Sequence, residues 1–334
     1  MGLTTGGIGG IHHVTAIASD PQRNLDFYAG VLGLRLVKRT VNFDDPGTYH
    51  FYFGDAVGTP GSILTFFPWP GSQRGRQGPG QVAVTSFAIV PRSVGFWVER
   101  LVRHGIAHEG PAAHELGIRS ERVISFRDPD GLLLELVASP EAEGRPAWGE
   151  APGISAEHAI HGFHSVTLWV EQEDATTEVL VKTLGFRAVG AEGSTRRLAI
   201  GDGGPGTVVQ VRSTGGFMQG VSGPGTVHHV AWRVPDSATQ LAVRDLVGQA
   251  GLEATPVIDR HYFRSVYFRE PGGVLYELAT NSPGFAIDEP VERLGEKLTL
   301  PPQFESRRAE IEALLPPVHR PHPLTESSFL TAGD

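Results

Sequence analysis

Four copies of one short structural unit constrain the fold of this chain more than any other feature of its sequence. Each copy closes with a glycine followed by an apolar strand pattern: GSILTF (61–66), GLLLEL (131–136), GTVVQV (206–211) and GVLYEL (273–278). Each copy opens with another strand pattern: HHVTAI (12–17), VTSFAI (84–89), FHSVTL (163–168) and HHVAWR (228–233). Repeats of this kind are typical of folds in which one supersecondary unit packs against further copies of itself.

A helical pattern lies between the opening and closing strands of each copy. Apolar residues recur at helical spacing in four segments, residues 21–34, 92–105, 237–251 and, more weakly, 173–186. Gly33 and Gly105 are suited to end the first two helices, because glycine readily adopts the left-handed conformation found there. Each copy is therefore predicted to be a βαβββ module of an α+β fold.

A segment rich in Pro, Gly and Glu divides the chain into two halves of two modules each. We predict a first domain at residues 11–140 and a second domain at residues 158–283. A linker at residues 141–157 joins them, and a tail follows at residues 284–334. Within the Pro-rich tail, FESRRAEIEALL (304–315) has a helical pattern that ends at Pro316 and Pro317.

Composition excludes several classes of protein. The 334 residues include no cysteine, which excludes disulfides, iron–sulfur clusters, zinc–thiolate sites and a cysteine nucleophile. The formal net charge is −9 with no basic run, which argues against nucleic acid or an anionic membrane as a partner. No apolar run reaches membrane-spanning length, and MGLTTGGIGG lacks the features of a signal peptide. We therefore expect a cytoplasmic protein, and a homo-oligomer is compatible with the sequence.

The 14 histidines become the leading candidates for metal ligands in a chain without thiols. Two histidine doublets stand at matching repeat positions, in IHHVTAI (11–17) and TVHHVAW (226–232). Neighbouring side chains on a strand point to opposite faces. One histidine of each pair is therefore expected to face a cavity, and the other to face away unless the strand twists or bulges.

Alignment of the repeats gives a table of candidate ligands. The opening strands align His13, Thr85, His164 and His229, and the closing strands align Thr65, Glu135, Gln210 and Glu277. Sequence spacing leaves two possible ligand sets. Both contain His229 and Glu277, and the third ligand is either His164 or His13. The doublet shared by the first and fourth modules favours the set with His13. The second and third modules would then hold a degenerate site, with His164 as a hydrogen-bonded buried histidine.

Several motifs resemble the vicinal oxygen chelate superfamily, which includes glyoxalase I and extradiol ring-cleaving dioxygenases. The resemblance is closest to the hydroquinone 1,2-dioxygenase branch and rests on HHVT, GTPGSILTFFPWP, GFHSVT, VHHVAW and DRHYFRSVYFREPGGVLYE, in that order. It implies that the four modules form two open-barrel domains. It also implies that the first and fourth modules supply the metal ligands His13, His229 and Glu277, with five further residues near the metal: His228, Tyr267, Arg260, His12 and Thr15.

Two histidines and one carboxylate form the facial triad associated with non-haem Fe(II) oxygenases, with Mn(II) as an alternative ion. The expected partners are a small hydroquinone-like or catechol-like aromatic and O₂. His228 and Tyr267 are the candidates for proton transfer, and Arg260 for binding an anion. One rival is a glyoxalase-type isomerase or lyase, but its fourth ligand position is occupied here by Thr65. The other rival is a metal-free binding protein.

Overall fold

The computed structural model of the chain describes residues 7–116 and 119–320. The strands of the first half are β1 Ile11–Ala18, β2 Arg35–Val41, β3 Tyr49–Gly54, β4 Ile63–Pro68, β5 Gln81–Ile89, β6 His108–Leu116, β7 Arg119–Arg127 and β8 Leu133–Ala138. The strands of the second half are β9 Phe163–Val170, β10 Arg187–Glu192, β11 Thr195–Ala199, β12 Val208–Ser213, β13 Thr226–Val234, β14 Ile258–Asp259, β15 Arg264–Arg269 and β16 Leu275–Thr280.

The four segments with helical patterns are all helical, and a fifth helix lies in the tail. The α-helices are α1 Pro21–Leu25, α2 Val94–Arg103, α3 Glu173–Glu178, α4 Ser237–Gln249 and α5 Arg308–Leu314. Helices α1 and α3 continue as π-helical turns at Asp26–Val31 and Val179–Thr183. Short 3₁₀ turns occur at Pro91–Ser93, Pro140–Gly144, Ala156–His158, Phe285–Ile287, Val291–Arg293 and Pro302–Arg307. Among the described residues, no helix is long and apolar enough to cross a membrane.

The strands form two curled eight-stranded half-barrels, which confirms the predicted fold class. The first sheet has the order β14-β15-β16-β13-β1-β4-β3-β2, and the second has the order β10-β11-β12-β9-β5-β8-β7-β6. Antiparallel pairing of β1 with β13 joins the first and fourth modules, and pairing of β5 with β9 joins the second and third. Each half of the sequence therefore contributes one module to each sheet. Buried apolar residues from both sheets belong to one continuous core.

The glycine that precedes each closing strand has a conformational role. Gly61, Gly131, Gly206 and Gly273 have φ angles of 101°, 89°, 83° and 96°, and each lies two residues before its strand. A side chain at these positions would strain the backbone, so glycine is the residue suited to this turn. Gly33 and Gly105 also have positive φ, 66° and 65°, as predicted for residues that end helices.

Strand register gives a common frame for comparing the modules. In all four, the opening strand runs parallel to the closing strand, and the paired residues are Thr15 with Thr65, Ser86 with Glu135, Thr167 with Gln210, and Ala231 with Glu277. His13 and His229 lie two residues before Thr15 and Ala231. The same offset from Ser86 and Thr167 leads to Val84 and Ser165.

The predicted equivalence of Thr85 and His164 with the two ligand histidines is therefore wrong by one residue. HSVT (164–167) aligns with HHVT (12–15), so His164 corresponds to His12, the first histidine of the doublet. The error arose because a single histidine was matched to the second position of a doublet. The pairing between strands, which the local sequence does not contain, sets the register.

The tail packs against the outer strand of the first sheet through a buried ion cluster. Lys38 in β2 is fully buried, and its ammonium group contacts Asp288 at 2.5 Å and also contacts Glu289. The Tyr262 hydroxyl donates to Asp288 at 3.0 Å, which connects the same cluster to the loop before β15. The tail thereby holds the loop that carries Arg260.

We predict that Lys38→Ala lowers the free energy of unfolding by about 3 kcal/mol or more, because it leaves two carboxylates without their buried cation. The control is Arg293→Ala, which removes an exposed ion pair with Glu296 and should cost less than about 1 kcal/mol. Urea unfolding measures both values. Similar losses for the two variants would show that the buried cluster does not stabilise the fold.

Candidate metal centre

Three neighbouring strands of the first sheet bring His13, His229 and Glu277 together. These residues lie on β1, β13 and β16, and all three are buried. Glu277 Oε2 lies 2.9 Å from His229 Nε2 and 3.1 Å from His13 Nε2, and the two Nε2 atoms are 3.2 Å apart. Among the described residues, this is the one group of histidine and acidic side chains compact enough to share an ion.

The spacing of the three donor atoms suits an octahedral divalent ion. Bonds of about 2.1 Å at right angles place neighbouring ligand atoms about 3.0 Å apart. The observed separations of 2.9, 3.1 and 3.2 Å agree with one face of such an ion. Two imidazoles and one carboxylate are also the donor set of the facial triad.

The buried carboxylate of Glu277 has one satisfied and one unsatisfied oxygen. Ser265 Oγ donates to Oε1 at 2.5 Å, whereas Oε2 accepts no well-directed hydrogen bond from the described residues. Burial alone raises the pKa of Glu277, but His13 and His229 outweigh it and hold that pKa well below the usual range. An ionised, incompletely satisfied carboxylate in the core is a site that calls for a cation.

A β-bulge at each histidine doublet allows two neighbouring histidines to lie at the same site. In the β1–β13 pair, Ile11 and His13 lie opposite Trp232 and Ala231, which makes His12 an extra residue. Toward the other end, Thr15 and Ala16 lie opposite His229 and Val227, which makes His228 an extra residue. The bulges bring the Nδ1 atoms of each doublet within 2.9 Å and 2.8 Å of each other.

The first doublet fixes the protonation of the ligand His13. His12 Nε2 lies 3.0 Å from the carbonyl oxygen of Thr280, so this nitrogen carries the proton and donates it. His12 Nδ1 must then accept from His13 Nδ1, which directs His13 Nε2 at Glu277, where this nitrogen can hold a metal ion in place of a proton. Burial, followed by His13, lowers the pKa of His12 to about 3, so the ring is neutral at pH 7.

The second doublet has the same arrangement with a different outer partner. If His229 Nε2 is the metal donor, its Nδ1 carries the proton and donates to His228 Nδ1. His228 then carries its own proton on Nε2, and His228 lines a cavity in front of the ligands. Burial, followed by His229, lowers the pKa of His228 to about 3.

A cavity of about 310 Å³ opens in front of the three ligands. Thr15, Arg260 and Tyr267 line it, whereas His12 is not among its lining residues. Much of the remaining wall is formed by aromatic and aliphatic side chains, namely Phe43, Phe67, Trp69, Phe263 and Leu275. The cavity therefore suits a flat apolar ring with a few polar substituents.

Arg260 and Tyr267 lie side by side in this cavity. The Arg260 guanidinium is 5.5 Å from the centre of the Tyr267 ring and 3.2 Å from Asp44 at the cavity mouth. Tyr267 lies directly opposite Glu277 in the β15–β16 pair. Burial, followed by the charge of Glu277, raises the pKa of Tyr267, so its hydroxyl keeps its proton at neutral pH.

His50 and Tyr52 on β3 also line the cavity and were not predicted from the sequence. A usable signal was present in YHFYF (49–53), where a histidine and a tyrosine alternate with phenylalanines and so share one face of the strand.

His164 in the second sheet is a hydrogen-bonded buried histidine, as predicted. Its Nδ1 lies 3.0 Å from Ser165 Oγ, and its Nε2 lies 3.0 Å from Glu121 Oε1. Glu135, the counterpart of Glu277, accepts from Ser86 at 2.7 Å. The register counterparts of the ligand histidines, Val84 and Ser165, offer no imidazole, so the second sheet repeats the scaffold without the donor set.

Comparison with known protein families agrees with the fold. The profile of the Glyoxalase/Bleomycin resistance protein/Dioxygenase superfamily matches residues 10–136 and 162–278. The chain belongs to this superfamily.

Relatives that are named as dioxygenases are similar to this chain over almost its full length. The chain is 47% identical over 310 residues to "Putative ring-cleaving dioxygenase MhqO" of Bacillus subtilis, which covers 92% of this chain and 96% of the relative. It is 31% identical over 309 residues to "Chlorohydroquinone/hydroquinone 1,2-dioxygenase" of Sphingobium indicum, which covers 90% and 94% of the two chains.

Solved structures agree with this relationship. The crystal structure of a "putative dioxygenase" from Bacillus subtilis superimposes with a TM-score of 0.87 at 46% identity, over 94% of this chain and 99% of that one. Glyoxalase I from Zea mays gives a TM-score of 0.58 at 16% identity, over 81% of this chain and 92% of that one, and so supports the fold alone.

We predict that His229→Ala abolishes stoichiometric binding of a divalent metal, because two donors remain where three are needed to hold the ion. The matched control is His164→Ala, which removes a buried histidine from the other sheet and should keep one metal ion per chain. Elemental analysis after anaerobic loading with Fe(II) and desalting measures both. Full iron occupancy in His229→Ala would remove this residue from the ligand set.

Proposed function

We propose that this protein is an Fe(II)-dependent ring-cleaving dioxygenase that inserts both atoms of O₂ into a hydroquinone-like or catechol-like aromatic. The observation that carries the proposal is the three-donor group of His13, His229 and Glu277 at the base of an aromatic-lined cavity. The similarity to a named hydroquinone 1,2-dioxygenase over 90% of the chain supports the same substrate class.

The number of ligands favours this reaction over a glyoxalase-type isomerisation. The position related to Glu277 by strand register in the first module is Thr65, whose hydroxyl is engaged with His50 and Thr15 at 2.9 Å each. Three protein donors on one face of an octahedral ion leave three neighbouring positions open. An oxygenase needs such positions for the ring oxygen and for O₂.

The bound metal would supply orientation of the two reactants and a path for electron density from the ring to oxygen, and Fe(II) suits this donor set with Mn(II) as the alternative. The protein residues around it would bind and orient the substrate. The apolar wall excludes water from the ring, and the guanidinium of Arg260 offers charge-assisted hydrogen bonds to an anionic oxygen.

Proton transfer is assigned to Tyr267, and the neutral ring of His228 is assigned a hydrogen bond to the substrate through its Nε2–H. Both line the cavity, and the tautomer deduced for His228 directs its Nε2 proton away from His229. Tyr267 keeps its hydroxyl proton and can donate it to an oxyanion that develops on the substrate. His12 does not face the substrate, and its proposed role is to hold His13 in the tautomer that binds metal.

We predict that the iron-loaded protein consumes one O₂ for each hydroquinone or catechol ring that it opens, because both oxygen atoms enter the product. An oxygen electrode and chromatography of the aromatic measure the two rates on one sample, and catalase added at the end tests for hydrogen peroxide. Turnover of the aromatic without O₂ uptake would assign the protein to the isomerase or lyase class instead.

We predict that Tyr267→Phe lowers kcat about 10²- to 10⁴-fold, the range expected for the loss of a general acid, while iron content stays unchanged. The control is Tyr276→Phe, because the buried Tyr276 hydroxyl has no hydrogen-bond partner in the described part of the chain. This control should keep kcat within about twofold. Equal activity of both variants would remove Tyr267 from the proposed proton transfer.

A further inference from the structure

A chain of hydrogen bonds on the first module faces the cavity and has no part in the function proposed above. Tyr52 OH lies 2.9 Å from His50 Nδ1, and His50 Nε2 lies 2.9 Å from Thr65 Oγ1. Thr65 Oγ1 in turn lies 2.9 Å from Thr15 Oγ1. The four residues cross β3, β4 and β1 and are buried, and the chain ends at the cavity beside the metal ligands.

The hydrogen-bond chain occupies the place that corresponds to Glu277 and Tyr267 in the fourth module. Thr65 pairs with Thr15 as Glu277 pairs with Ala231. Tyr52 pairs with Thr65 as Tyr267 pairs with Glu277. The sheet thus presents a metal-binding half and a hydrogen-bonding half to one cavity.

The direction of the hydrogen bonds follows from the two ends of the chain. At the far end, the buried Tyr52 hydroxyl has His50 Nδ1 as the partner given by the geometry, so it must donate there or leave its proton unpaired. His50 Nδ1 is then an acceptor, and its Nε2–H donates to Thr65 Oγ1. Thr65 donates to Thr15, so the Thr15 oxygen is already an acceptor within the chain.

The opposite direction of the hydrogen bonds is less favourable. It would require Thr15 to donate to Thr65, against the direction of that hydrogen bond. It would also leave the Tyr52 hydroxyl proton without an acceptor among the described residues. In the first arrangement each donor within the hydrogen-bond chain has an acceptor, and the Thr15 proton remains available to a ligand in the cavity. Burial, followed by His13 and His229, lowers the pKa of His50 and keeps its ring neutral, as the chain requires.

We propose that Tyr52, His50 and Thr65 are positioning residues that fix the Thr15 hydroxyl as a hydrogen-bond donor to an ionised aromatic oxygen in the cavity. Thr15 is aligned with His229 in the β1–β13 register and shares a face with His13, so its hydroxyl adjoins the metal ligands. A fixed donor favours a phenolate oxygen, which accepts hydrogen bonds only. This inference rests on the proposed function for the class of substrate, an aromatic ring with an acidic hydroxyl.

The test uses 4-nitrocatechol, whose visible absorption reports its ionised form, added to the iron-loaded protein without oxygen. Thr65→Val interrupts the chain with a side chain of similar shape, and Thr65→Ser restores the hydroxyl. We expect Thr65→Val to weaken binding of the ionised probe about 10- to 100-fold, the worth of a hydrogen bond to a charged group. Thr65→Ser should stay within about threefold of the unmodified protein, with iron content unchanged in both.

A second measurement reads the direction of the chain itself. The ¹⁵N resonances of His50 in the Zn(II)-substituted protein, assigned by their absence in His50→Gln, should show the proton on Nε2. If Thr65→Val does not fold, Tyr52→Phe removes the donor at the far end and should weaken probe binding in the same direction.

A proton on His50 Nδ1, or tight binding of the ionised probe to a folded Thr65→Val or Tyr52→Phe variant, would overturn the proposal. Neither measurement requires ring cleavage. Failure of the proposed dioxygenase reaction would instead appear as absent O₂ uptake by the unmodified protein.

Discussion

Antiparallel pairing of β1 with β13 is the interaction on which the site depends. It joins the first and fourth modules and brings His13 within 3.2 Å of His229, a residue 216 positions away in the chain. The parallel pairing of β13 with β16 then adds Glu277 from the next strand. Rigid strands in one sheet hold all three donors, which suits a centre whose ligand geometry must be fixed before the ion binds.

The two β-bulges in the β1–β13 pair place both histidines of each doublet near the metal site. A regular strand would send His12 and His228 to the opposite face, because side chains alternate along a strand. Each bulge instead brings the two rings of a doublet within hydrogen-bond distance, so that one ring sets the tautomer of the other. The doublets are therefore pairs of a candidate ligand and its orienting partner, which explains their place at matching repeat positions.

The sequence predicted the modules and the donor residues because these are local or repeated features. The closing glycines, the histidine doublets and a glutamate among apolar neighbours are visible in single segments. The register between distant strands is not local, and this is why His164 was aligned with the wrong histidine. For the same reason, the hydrogen-bond chain from Tyr52 to Thr15 could not be predicted from the sequence. Its residues come from three strands, and their contacts depend on how those strands pair.

The buried ion cluster at Lys38 was equally hidden, because its carboxylate partners lie 250 and 251 residues further along the chain. Charge composition could not indicate that one lysine would be fully buried, since lysine is ordinarily exposed. Its role is understood only from the fold, in which the tail closes over the outer strand and supports the loop that carries Arg260.

We propose that the first and fourth modules together hold one catalytic ion. Anomalous diffraction at the iron absorption edge, from crystals grown without oxygen and loaded with Fe(II), tests it most directly. We expect a single strong peak per chain, within bonding distance of His13 Nε2, His229 Nε2 and Glu277 Oε2. A peak at Glu121 and His164 in the second sheet, or no peak at the triad, would contradict it.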